Sequence, residues 1–353
     1  MLSSWWKSFE ESDFARSIPF GNRYREPGFS LDGIPSLKGR VVLITGASAG
    51  LGRQSAAAVA VAGAITVLGC RDETRGRAAV EWVQAAAPSA SVSLLQIDLS
   101  SRESVKSAAA EFMRRFSALH VLINNGGIPA GTANPLHLAD GVEECFQVNH
   151  LGHFQLTLAL LPLLKASAPS RIVHVSSSAH RYALLHPRWL SLDVINDGSA
   201  HSMVERYGMA KLAQLSFSTE LHRRLQASGD TQVLSNAIHP GIVATELVTS
   251  NAQRNFGWAL GGVIQAVMGL RNRLMAYDVV DGALTQLFAA TSPSVQTGGG
   301  YYVPIAQPWR TAHPLADDET FARQLWDFSE VTLARAPDPP TAAAAGEVAK
   351  AEL

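Results

Sequence analysis

The chain has 353 residues, 47% hydrophobic and 17% charged, with 29 basic against 30 acidic side chains. That balance excludes a basic field for nucleic acid, and the composition is that of a globular chain with a large core. Its two cysteines, Cys70 and Cys145, make no disulfide framework and point to a reducing, cytoplasmic compartment.

Residues 1–38 read as an appendage. Acidic residues interrupt MLSSWWKSFEESDFARS before any apolar core of a secretory signal forms. Trp5, Trp6, Phe9 and Phe14 can share one helix face. That face either packs on the domain or touches a membrane peripherally. No apolar run reaches the roughly 18 residues of a spanning helix.

From residue 39 to 333 strands and helices alternate. RVVLIT (40–45), ITVLGC (65–70), SVSLLQI (91–97), HVLIN (120–124), RIVHVS (171–176), QVLSNAI (232–238) and GGYYV (299–303) read as seven strands. Helical patterns follow in SAAAVAVAGA, TRGRAAVEWVQAAA and SVKSAAAEFMRRF. A long helix is expected over 139–166 with Pro162 as a kink, and another from Val204 to about Ser228. Uninterrupted apolar strands mean burial on both faces, hence a parallel sheet. The expected fold is therefore α/β: one doubly wound Rossmann-type domain, mainly parallel, with helices on both faces. Residues 334–353 are Pro/Ala-rich and read as a disordered tail.

The first strand runs straight into TGASAGLG, which places Gly46, Gly50 and Gly52 before a helix. Glycines there permit a tight turn and close backbone approach to a pyrophosphate, while the helix N-terminus supplies N–H donors. The second strand ends in Cys70 and Arg71, where an acidic residue would select the ribose hydroxyl of NAD. A guanidinium suits the extra phosphate of NADP(H), so NADP(H) is favoured over NAD(H). Asp72, one place later, can instead cap the next helix.

Beyond the fifth strand, VSSSAH offers Ser176, Ser177 and Ser178 as donors to a carbonyl oxygen. Tyr207 and Lys211 stand four apart, on one helix face. A free tyrosine, with a pKa of about 10, is a poor base, and a nearby ammonium would lower it. His150 and His153 flank Asn149 without a third ligand, and read as packing or hydrogen-bonding groups with no metal.

In this order, TGxxxGxG, NNGG, VSSSAH and YGMAK resemble the short-chain dehydrogenases/reductases of the Tyr-x-x-x-Lys type over residues 38–305. NHLGHF, VSSSAH and VLGCRD are most similar to the retinol dehydrogenase and WW-domain oxidoreductase branch. The resemblance implies catalytic roles for Ser177 as carbonyl polariser, Tyr207 as acid/base, Lys211 as ribose binder and Asn149 as proton relay. Ser178 remains the alternative to Ser177. It implies cofactor contacts from Gly46, Ser48, Gly50, Leu51, Gly52, Arg71, Asp98, Leu99, Asn125, Gly126, Tyr207 and Lys211, and from Pro240, Gly241, Val243 and Thr245 of HPGIVATEL. NNGG departs from the family's NNAG at Gly126, which is expected to add backbone freedom without loss of binding. The resemblance also implies a homodimer or homotetramer through the helices carrying Asn149 and Tyr207, unless the appendages block it.

Residues 180–205 are expected to line the substrate pocket and 246–275 to form its lid, rich in apolar side chains. The expected function is NADP(H)-dependent hydride transfer with an apolar alcohol or carbonyl. The alternatives are a non-catalytic NADP-binding regulator and a membrane-attached scaffold.

Overall fold

Eight strands make one sheet. In the computed structural model, which describes residues 28–131, 138–184, 186–243, 277–309 and 313–335, they are β1 (Val41–Thr45), β2 (Ile65–Cys70), β3 (Val92–Gln96), β4 (Val121–Asn124), β5 (Ser170–Val175), β6 (Val233–Ile238), β7 (Tyr301–Val303) and β8 (Gln307–Pro308). Their spatial order is β3-β2-β1-β4-β5-β6-β7-β8. All pairings are parallel except β7 with β8, where Gln307 faces Val303. The eighth strand corrects the expected seven. It is two residues long and carries a proline at the sheet edge, so it has no alternation to read.

Alternate residues of β1 enter opposite cores. Val42 and Ile44 pack with α1 (Gly50–Val61), α2 (Glu73–Ala86) and α6 (Val279–Thr291). Val41 and Leu43 pack with α3 (Arg102–Arg115), α4 (Gly152–Ala166), α5 (Met203–Ala227) and α7 (Glu319–Ala334). Phe29 and Leu37, at the end of the expected appendage, are buried in the first of these cores. Among the described residues, no helix is long and apolar enough to cross a membrane.

The helix expected from residue 139 begins later. Leu138–Ala139 and Val142–Glu143 form a small antiparallel hairpin, because Asp140 and Gly141 take φ of 50° and 78°. That Asp-Gly pair is a hairpin signal that favours positive φ at both turn positions. Helix starts at Glu144, passes through a π turn at Gln147–Leu151 and continues as α4. Pro162 lies inside α4 without ending it. Helices α6 and α7 were not anticipated, although α7 carries its own start signal: Asp318 accepts from the backbone N–H of Thr320 and Phe321 at 2.8 and 3.0 Å.

Candidate active site

The cradle is built of backbone. Gly46 and Gly50 hold φ of 65° and 54°, where side chains are disfavoured. A Cβ on Gly46 would sit 2.6 Å from the Gly126 Cα, and one on Gly52 would sit 2.5 Å from the Gly46 carbonyl. Ala49 precedes α1 and caps it with no side-chain hydrogen bond. The first N–H groups of the helix therefore face the glycine turn without a side chain in the way, which fits a pyrophosphate. Ser48 lies half-buried in this turn, whereas Leu51 packs toward the core, where its carbonyl accepts from Gln286 at 3.3 Å.

At the end of β2, burial pushes the Cys70 thiol up to about 11, while Arg71 stands exposed. Asp72 caps α2, accepting from the Arg75 N–H at 2.8 Å. Past β3, Asp98 is occupied by the N–H and hydroxyl of Ser100 at 2.9 and 2.7 Å. Leu99 fills the space an alanine would need at 126: a Cβ there would lie 2.8 Å from Leu99 Cδ1. Gly126 therefore also gives the Leu99 side chain room.

Thr45 organises the NNGG end of β4, a role not apparent from the sequence. Its Oγ1 accepts from the N–H groups of Asn125 and Gly126, both at 2.9 Å. The Asn125 side chain donates back to the Thr45 carbonyl at 2.8 Å. The available signal was a polar residue ending an otherwise apolar strand.

The three serines after β5 have separate tasks. Ser176 is buried and donates to the Lys211 carbonyl at 2.7 Å. Ser177 is half-buried, accepts from Ala179 N–H at 3.2 Å and has its hydroxyl near that of Tyr207. Ser178 carries its carbonyl to Arg181 at 3.1 Å. The geometry thus brings Ser177, rather than Ser176, to Tyr207.

A capping box starts α5: Ser202 accepts from Glu205 N–H at 3.3 Å, and Glu205 accepts from Ser202 N–H at 2.8 Å. This fixes the helix just before Tyr207. The ring of Tyr207 keeps some exposure, while its hydroxyl is enclosed. Burial raises the phenol above its ordinary value, and the nearby Ser177 hydroxyl opposes this. Lys211 is buried, its ammonium lowered to about 8 by burial. Its Nζ donates to the Val175 carbonyl at 2.9 Å and stands 5.6 Å from the centre of the Tyr207 ring. Burial thus works against the lowering expected from the lysine ammonium.

Asn149 sits within the π turn and is fully buried. Its side chain holds the Ile128 peptide, with Oδ1 accepting from Ile128 N–H at 2.9 Å and Nδ2 donating to the carbonyl at 2.8 Å. Cys145 Sγ lies 3.0 Å from the same Nδ2. His150 and His153 are buried and hydrogen-bonded. After β6, Gly241 holds φ of 89° beside the half-buried Pro240, and Val243 forms a bridge to Tyr277. Thr245 and the expected lid lie outside the described residues. Within the expected pocket-lining insert, Trp189 and Ile195 are core residues; Trp189 packs on Phe321, with ring centres 5.4 Å apart.

A family model described as short chain dehydrogenase matches residues 40–187. Human retinol dehydrogenase 14 is 39% identical over 308 residues, covering 84% of this chain and 86% of that protein. The chain belongs to the short-chain dehydrogenase/reductase family. The WW domain-containing oxidoreductase of Gallus gallus is 33% identical, over 83% of this chain and 68% of that one. An uncharacterised protein of Mycobacterium paratuberculosis has a similar crystal structure, with a TM-score of 0.66, 29% identity and coverage of 88% of this chain and all of that one. The family binds nicotinamide cofactors and acts on alcohols or carbonyls.

Proposed function

We propose that the protein is an NADP(H)-dependent oxidoreductase acting on an apolar alcohol or carbonyl, with Tyr207 as acid/base. One observation carries this reading: the Ser177 and Tyr207 hydroxyls meet beyond the end of β5, with Lys211 one turn along the same helix. When bound, the nicotinamide would give or take the hydride. Ser177 polarises the substrate oxygen, and Tyr207 gives a proton to it in carbonyl reduction or takes one from it in alcohol oxidation. Lys211, anchored to Val175, presents its remaining N–H donors toward ribose. The turn held by Asn149 keeps this group beside the glycine cradle. Exposed Arg71 supports the choice of NADP(H). The retinol dehydrogenases among its relatives support an apolar substrate of retinoid, steroid or lipid type.

A panel of apolar carbonyls and alcohols, followed by NADPH absorbance, tests the reading. Turnover lost in Tyr207→Phe by about 100-fold or more, with cofactor binding intact, is the expected result. Unchanged turnover in that variant would remove the mechanism. Cofactor binding without turnover in the native chain would favour a regulator of the same fold.

A further inference from the structure

His153 stands between two holders of one turn. From one side Thr45 Oγ1 accepts from the N–H groups of Asn125 and Gly126, both at 2.9 Å. From the other, Asn149 clamps both polar groups of the Ile128 peptide at 2.9 and 2.8 Å. The fully enclosed imidazole of His153 touches each holder. Its Nε2 lies 2.8 Å from Thr45 Oγ1, and its Nδ1 lies 3.2 Å from the Asn149 carbonyl.

The proton positions follow from the partners. A carbonyl only accepts, so Nδ1 carries the hydrogen. Burial keeps the ring neutral, helped by the nearby Lys211 ammonium, so Nε2 is a bare acceptor. The Thr45 hydroxyl then donates to Nε2, leaving its two lone pairs for Asn125 and Gly126. The Ile123 carbonyl is a second, longer acceptor for the Thr45 hydroxyl, at 3.4 Å, and shares the Asn125 N–H, at 3.0 Å. Neighbouring His150 has the opposite tautomer. Ser329 Oγ spends its hydrogen on the Leu325 carbonyl at 2.7 Å, so His150 Nε2 donates to it at 2.9 Å.

We propose that His153 is a positioning residue for the reaction: it couples Thr45 to Asn149, so that the 125–128 turn and the π turn are held as one piece between cradle and Tyr207. On the reading above, Asn125 and Gly126 face the cofactor while Asn149 faces the proton path. Loosening the coupling therefore misplaces both.

The test compares His153→Leu with His153→Asn, whose amide keeps a donor at the Nδ1 place. His153→Leu should lower kcat by about 10- to 100-fold, since small misplacements cost that much. KM should change little, and His153→Asn, which keeps the link to the Asn149 carbonyl but loses the acceptor for Thr45, should recover only part of kcat. Native kcat in either variant overturns the proposal. Tm of both variants separates positioning from stability: a kcat that follows Tm and ignores the donor also overturns it. Nitrogen-15 spectra of histidine-labelled native protein, assigned by the signal lost in His153→Asn, should show His153 as the Nδ1–H tautomer. An Nε2–H tautomer overturns the coupling whatever the activity. If no substrate in the panel turns over in the native protein, the functional reading fails, and the tautomer still decides this inference.

Discussion

Gly208 lies directly against the carbonyl of Ala179: a Cβ built on Gly208 would meet that oxygen at 2.7 Å and the Ala183 nitrogen at 2.9 Å. The residue after Tyr207 is thus small because the segment after Ser177 crosses the helix there. The two hydroxyls of the site are brought together by this contact between backbones. Gly208→Ala should push the segments apart, lowering turnover and costing about 1–3 kcal/mol despite the better helix propensity of alanine. Denaturant unfolding and kcat together check this. A stabilised variant would show that the contact yields freely.

Arg71→Asp should shift preference from NADP toward NAD, because it removes the exposed cation beside buried Cys70 and supplies an acceptor for a ribose hydroxyl. The measurement is the ratio of kcat/KM for the two cofactors. An unchanged ratio would return the cofactor choice to other residues of the cradle.

Acid should destabilise the protein through its buried histidines. His150, His153 and His239 are lowered to about 3 by burial, and His174 is pushed well below its ordinary value. Unfolded, each would take a proton below a pH of about 6.5. The depressed folded values mean stability is fully present above that pH. It falls as pH drops through 6.5 and levels off below the folded values. At pH 5 each such residue removes about 2 kcal/mol. Urea midpoints from pH 8 to 5 should therefore decline steeply below 6.5. A flat profile would mean that these rings are solvated and titrate normally.

Trp326 of α7 packs on Phe154 and Phe217, with ring centres 5.0 and 5.7 Å away, and Arg224 lies over it at 4.1 Å. Trp326→Ala should cost about 3–5 kcal/mol. A Tm within a few degrees of the native value would show that α7 contributes little to the core.

Much of the frame was legible in the sequence, because periodic burial leaves a trace in residue type. The apolar runs of β1 and β2 and the glycines after β1 read directly. What did not read was non-local. Glu144 starts its helix late because Asp140 and Gly141 turn a hairpin, a local signal overruled by the longer apolar pattern. Burial opposes the expected effect of Lys211 on Tyr207 for another reason. Spacing places two residues on one face, but desolvation depends on everything packed around them. The tasks of Thr45 and His153 depend on contacts 108 residues apart, which no local window contains.

Helix α7 lays Phe321, Leu325 and Trp326 over parts of α4 and α5, the helices through which the resemblance implied pairing of subunits. A covering tethered within the chain stays at a fixed effective concentration however far the solution is diluted. Specific activity that stays constant across a thousand-fold dilution is the outcome expected if this covering replaces a partner subunit; activity lost on dilution would show that the subunits pair in spite of it.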